Sequence, residues 1–192
     1  MIESFSPHEP FFTTDEFLEL YPTDYDGPLV DWPDYGEDHL SEAERLEMIR
    51  RYRAMVSMVD TYLGKVLDAF DKYGLWEDTA LIVMTDHGFM LGEQGYMGKN
   101  FCAPYEEITH VPFYLYDPRH PRQGEVCEEL AYTLNVTPTV ADLFGIAPPS
   151  LCEEESLSCI YADGETLHEA VIFGVFGGPI GLADGRHVLY KA

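Results

Sequence analysis

A chain of 192 residues, 46% hydrophobic and 14% aromatic, has enough apolar material for a true core, which excludes intrinsic disorder. Its 11 basic residues are outnumbered by 35 acidic ones, and the net charge of −24 repels nucleic acid and anionic membranes alike. No apolar run reaches membrane-spanning length, and the cysteines at 102, 127, 152 and 159 form no CxxC pair, leaving either free thiols or one disulfide among the last three.

In chain order, residues 2–6 read as the tail of a strand that ends at Pro7-His8-Glu9-Pro10. Residues 11–40 are rich in Tyr, Asp and Pro and read as an irregular surface segment. Asp24, Asp26, Asp31 and Asp34 lack the spacing of a calcium-binding EF-hand, so they read as a solvated acidic loop. Ser41 opens a helix, with Glu44 placed to complete a capping box. Apolar residues recur at helical spacing from Leu46 to Phe70, Gly74 supplies the stop, and a bend is expected near Gly64. This helix and the strand predicted at 79–85 read as an αβ unit of a mainly parallel sheet.

A second strand is predicted at 111–116, with Pro112 near its start where a lost donor is tolerated. Thr137-Pro138 begins a short helix that runs through Leu143 and ends at Gly145. Residues 149–168 read as irregular and 170–175 as a strand. Asp184-Gly185 is a hairpin turn between the short runs 180–182 and 188–190. No repeat and no internal domain boundary is evident.

The chemistry concentrates behind Leu81-Ile82-Val83-Met84, which delivers Thr85-Asp86-His87-Gly88. Carboxyl ends of strands are where α/β sheets gather ligands, and Asp and neutral His are metal ligands. Neighbouring side chains on a regular strand face opposite ways, so Asp86 and His87 can share an ion only where the strand breaks. Gly88 supplies that break through its wider choice of backbone angles. The competing reading is an Asp capping a backbone N–H beside a surface His.

Twelve residues after His87, the loop 91–100 presents Lys99, a cation that could neutralise an anionic substrate or simply stand on the surface. A nucleotide-binding P-loop is rejected, because Glu93 occupies its first glycine position and Asn100 replaces its Ser or Thr. His8, between two prolines, sits in stiff backbone and reads equally as a loop histidine; His110 reads as structural. Asp86, His87 and Lys99 together point to metal-assisted hydrolysis of a sulfate or phosphate ester.

The ordered set of segments resembles the later half of a type I sulfatase, in the alkaline phosphatase superfamily. Pro7 to Phe11 is similar to that family's PHEPF segment, and Tyr52 to Leu67 to its helix Y-x-A-x-V-x-x-x-D-x-x-x-G, including Asp60 and Gly64. Thr85-Asp86-His87-Gly88 with Leu91-Gly92-Glu93 resembles its (S/T)DHG-x-x-LGE element. Gly98-Lys99-Asn100, Tyr105-Glu106-Glu107 and Val111-Pro112 follow in family order, then residues 135–145 and the hairpin 182–186.

The resemblance implies an alkaline-phosphatase-like α/β sandwich on a mixed, mainly parallel sheet, here without its N-terminal half. It implies that Asp86 and His87 ligate a divalent cation, most often Ca2+, or Mn2+ or Zn2+ in a phosphodiesterase-like relative. Lys99 and His8 would contact the sulfate or the bridging oxygen, with His8 protonating or hydrogen-bonding the leaving oxygen. The substrate would be a small-molecule or carbohydrate sulfate ester. The family's formylglycine, made within C-x-P/A-x-R, is expected upstream. Cys102-Ala103-Pro104 mimics only the start of that motif, since Tyr105 and Glu106 follow. The chain is therefore expected to be an inactive fragment that needs the missing half. A phosphodiesterase or phosphonate monoester hydrolase, or a non-catalytic module retaining the fold, are the alternatives.

Overall fold

A computed structural model describes residues 1–122 and 124–191. In chain order they form α1 (Asp15–Leu18), β1 (Gly36–Glu37), α2 (Glu42–Tyr73), β2 (Leu81–Met84), β3 (Met90–Leu91), β4 (Tyr96–Gly98), α3 (Glu106–Thr109), β5 (Phe113–Tyr116), α4 (Val136–Leu143), β6 (Val171–Gly174), β7 (Ile180–Ala183) and β8 (Val188–Lys191). They pack as two compact units. Met1–Leu75 with Phe89–Cys102 makes one, and Trp76–Gly88 with the described residues from Ala103 onward makes the other.

The first unit is organised by α2. Its capping box is complete: the Glu44 N–H donates to Ser41 Oγ at 3.3 Å, and the Ser41 N–H donates to the Glu44 carboxylate at 2.9 Å. The Ser41 hydroxyl, which donates to the same carboxylate at 2.6 Å, and the Ser41 N–H hold the Glu44 carboxyl below its usual range. Gly74 ends the helix in the left-handed conformation, φ 66°, where a side chain would be strained. Met48, Tyr52 and Met55 lie on one face at i, i+4 and i+7. Phe11 packs there with no solvent exposure, its ring edge-on to Tyr52 and to Phe89 at 5.4 Å each. Burying one such phenyl ring contributes about 2–3 kcal/mol. It also anchors the segment carrying His8 to the helix.

The acidic segment before α2 is fastened by charge. Glu47, 3% exposed, receives Arg50 in a two-pronged bond (2.7 and 3.0 Å) and Arg51 at 2.8 Å. Arg50 also donates to the Leu18 and Tyr21 carbonyls at 3.0 and 3.1 Å, so the segment after α1 is tied to the helix. A small antiparallel sheet, β1-β4-β3, pairs Gly36 with Met97 and Met90 with Gly98. It carries the loop that presents Lys99.

In the second unit, β2 pairs antiparallel with β5, from Leu81 opposite Tyr116 to Met84 opposite Phe113. The parallel ladder expected for the strand after α2 is not formed among the described residues, where every pairing is antiparallel. Parallel neighbours need a crossover between them. Here the chain leaves β2 through a long loop and returns on its adjacent edge in the opposite sense. The unit closes with the meander β6-β7-β8.

Two polar networks hold the second unit together. Asn135 and Thr139 have no exposure. The Asn135 amide accepts from the Tyr132 N–H at 2.7 Å and donates to the Glu155 carbonyl at 3.0 Å, while Thr139 Oγ1 accepts from the Leu157 N–H at 2.9 Å. The irregular stretch at 149–158 thereby gains backbone partners, which answers the requirement that buried polar groups be paired. Asp117, 3% exposed, accepts from Arg119 at 2.7 Å and from the Tyr161 hydroxyl at 2.8 Å.

One smaller expectation fails. Residues 2–6 form no strand, because the backbone there has no ladder partner among the described residues. Of the two readings of the cysteines, the one without a disulfide holds: none of the four is bonded to another.

Candidate functional site

Each unit presents one pair of the residues singled out from the sequence. In the first, His8 and Lys99 meet across 91 positions: Lys99 Nζ lies 2.9 Å from His8 Nε2. Gly98, φ +90°, makes the approach possible, because its Cβ position is filled by the Tyr35 ring at 2.6 Å. Lys99 is 9% exposed, so the sequence-level alternative of a surface lysine is wrong. Its ammonium lies 5.9 Å above the Phe89 ring, a weak cation–π contact.

An ammonium can only donate, so His8 Nε2 accepts and the ring carries its hydrogen on Nδ1. That nitrogen is 2.8 Å from the Glu9 carbonyl oxygen, which takes the hydrogen. The imidazole is thus held as one tautomer, with its side chain 37% exposed. Both ring nitrogens are therefore engaged, Nε2 by the ammonium and Nδ1 by the carbonyl.

In the second unit, Asp86 and His87 are adjacent at the end of β2. The His87 N–H donates to Asp86 Oδ1 at 2.9 Å, and Asp86 Oδ2 lies 3.6 Å from His87 Nε2. His87 Nδ1 is 2.9 Å from the Gly88 carbonyl oxygen, so it carries the hydrogen and leaves the Nε2 lone pair free. Fixing one imidazole nitrogen on a carbonyl is how metal-ligating histidines are oriented. Desolvation, the largest single influence, pushes the Asp86 carboxyl up. The neighbouring His87, the backbone N–H bonds and the Thr85 hydroxyl outweigh it and hold the carboxyl below its usual range.

The pair suits a shared cation. Two donors on adjacent corners of one ion, each about 2.0–2.5 Å from it, stand about 3–3.5 Å apart. The 3.6 Å between Oδ2 and Nε2 needs only a small rotation, and Asp86 is 83% exposed to make it. Among the described residues no third His, Cys, Asp or Glu joins them. The capping reading is also partly right, since Asp86 does accept the next N–H.

Gly88 plays its part for a different reason than expected. Its φ lies outside the left-handed region; instead, a Cβ there would overlap the Glu107 carbonyl oxygen. The Gly88 N–H donates to the Ile108 carbonyl at 2.8 Å, so the turn after His87 is pressed against α3. Glycine is required by close approach rather than by backbone freedom.

Glu9 was missed from the sequence. It is 2% exposed, with Oε1 at 3.6 Å from Lys99 Nζ and Oε2 at 3.3 Å from His8 Nδ1. Distance alone makes the latter an ion pair, but Oε2 receives no hydrogen bond, because the Nδ1 hydrogen points to the backbone carbonyl. The hydrogen-bond geometry is the better guide, since a proton can be aimed at only one acceptor.

This α/β architecture is that of the alkaline-phosphatase-like hydrolases. A phosphonate monoester hydrolase from Silicibacter pomeroyi superposes with a TM-score of 0.69 over 79% of this chain and 34% of its own, at 23% identity. The sulfatase family model matches residues 2–146, and the chain belongs to that family. A sulfatase of Formosa agariphila is 26% identical over 89% of this chain, and an N-acetylglucosamine-6-O-sulfatase of Bacteroides thetaiotaomicron is 31% identical over 58%. The chain spans 37% of the length of the first and 20% of the second.

Proposed function

We propose that the protein carrying this chain hydrolyses a sulfate ester of a small molecule or carbohydrate, and that these residues form part of its active site. The observation that carries this reading is the buried Lys99 ammonium bonded to His8 at 2.9 Å. Desolvating a lysine is costly, and a fold keeps one where its charge has work to do. Membership of the sulfatase family and the sugar-sulfate name of the Bacteroides relative support reading that anion as a sulfate.

In this reading Lys99 binds the sulfate oxygens and offsets the charge that builds on them. His8, fixed by the Glu9 carbonyl, offers Nε2 to the bridging oxygen and protonates the leaving alcohol. Asp86 and His87 would hold a divalent cation, calcium by family resemblance, whose chemistry would be that of a Lewis acid. The remaining ligands and the nucleophile come from outside these residues. Cys102, 8% exposed, lacks the motif for that role.

A second reading, cleavage of a phosphonate monoester or phosphodiester, is favoured by the Silicibacter likeness, since a lysine, a histidine and a cation serve either anion. Paired aryl sulfate and aryl phosphonate esters, offered to the complete gene product, separate the two. A kcat/KM at least tenfold higher on the sulfate is expected, and the opposite preference establishes phosphoryl chemistry.

A further inference from the structure

We propose that Glu9 is a positioning residue which serves as a common counter-charge for Lys99 and His8, one carboxylate oxygen facing each base. The inference rests on the catalytic reading of those two residues. It starts from an anomaly: a carboxylate only 2% exposed with Oε2 free of any hydrogen bond. A buried polar atom in that state calls for an explanation, since leaving it unpaired costs free energy.

The geometry supplies one. Lys99 Nζ and His8 Nε2 are 2.9 Å apart and hold one extra proton between two bases. With the proton on Lys99, Glu9 Oε1 at 3.6 Å faces the charge. With the proton on His8 Nε2, the charge moves to the imidazolium. Its Nδ1–H then has a second acceptor in Oε2 at 3.3 Å, beyond the Glu9 carbonyl it already meets at 2.8 Å. The orphaned oxygen is thus the partner of the imidazolium, unused while His8 is neutral.

The proton balance is simple. When the His8 Nε2 proton leaves with the alcohol, the ring returns to its neutral tautomer. Lys99 is then the neutral amine until a proton from water restores it; Glu9 keeps its charge throughout and faces the ammonium again once it has re-formed. The Phe5 ring also packs against the His8 imidazole, at 4.5 Å, and it brings no charge. Glu9 is therefore the counter-charge that stabilises the protonated ring.

The test uses the 192-residue chain and needs no turnover. The ring nitrogens of His8 are followed by NMR through a pH titration in the parent and in Glu9→Gln, which keeps shape and removes charge. The parent should show the Nδ1–H tautomer at high pH. The Glu9→Gln protein should protonate His8 at a lower pH, by about one unit or more, because an opposite charge has been withdrawn. An unchanged midpoint overturns the proposal.

Should Glu9→Gln fail to fold, the parent alone decides. The Glu9 side-chain carboxyl carbon must shift in step with His8 protonation, and a flat carboxyl signal through that step overturns it equally. In the complete gene product Glu9→Gln should move the acid limb of the kcat profile with little change in KM, and Glu9→Asp should restore part of it. A pH-independent loss in both variants marks a merely structural role. Failure of the hydrolase reading shows instead as absent turnover in the parent, with the NMR result intact.

Discussion

Replacing Lys99 by Met keeps most of the side chain's volume and removes its charge, which isolates the energetics of a buried ion pair. Glu9 and Lys99 are 2% and 9% exposed, and their charged atoms are 3.6 Å apart. At that separation an effective dielectric constant of about 20 gives an attraction of about 4–5 kcal/mol. Removing one partner of such a pair costs about 3–5 kcal/mol, because the other is left buried and uncompensated. For a chain of this size each kcal/mol moves the melting temperature by about 2–4 °C, so Lys99→Met should melt roughly 6–20 °C below the parent. Removing both charges, as in Lys99→Met with Glu9→Gln, should recover about 2 kcal/mol of the loss. Urea titrations followed by circular dichroism on the parent, both single variants and the double variant close the cycle. Strict additivity, or a single-variant loss under about 1 kcal/mol, would refute the pairing.

Gly88→Ala places a methyl group on the Glu107 carbonyl oxygen, so the turn after His87 must move. A stability loss of about 1–3 kcal/mol is expected, with weaker binding of Ca2+ or Mn2+ by calorimetry; unchanged values of both would show that the backbone yields freely. Asp86→Ala and His87→Ala should each weaken cation binding at least tenfold in the complete gene product, whereas His110→Ala should not. Asp184 takes N–H bonds from Arg186 and His187, and its carboxyl is pulled down to about 2. Its contribution to the hairpin should be complete above about pH 4, its unfolded value, and be lost as pH falls through about 2. A carboxyl carbon NMR midpoint near 3.9 would contradict this. Glu47→Gln leaves Arg50 and Arg51 short of their counter-charge and should cost about 2–4 kcal/mol by urea titration.

Local rules made α2 and α4 legible, but not the single-turn helices α1 and α3. Ser41 with Glu44, the apolar face and Gly74 bound α2 because caps and periodicity act over four or five residues. The strand pairing of β2 was not legible, since the sense of a neighbour depends on where the chain returns after a loop whose path no local pattern encodes. His8 and Lys99 emerged only through family order. Nothing in their own neighbourhoods announces that residues 91 positions apart share a proton. Glu9 stayed hidden because a glutamate between prolines looks solvated until Phe11 is seen to pull the segment into the core. Gly88 was assigned correctly and explained wrongly: sequence marks a glycine but does not say whether it serves an angle or a clearance.

Turnover of an aryl sulfate by the complete gene product, parent against Lys99→Ala, addresses the catalytic reading most directly. A fall in kcat of at least a hundredfold, with the variant still folded by circular dichroism, is the expected result. Turnover within a few-fold of the parent would remove the buried ammonium from the chemistry and contradict the assignment of this site.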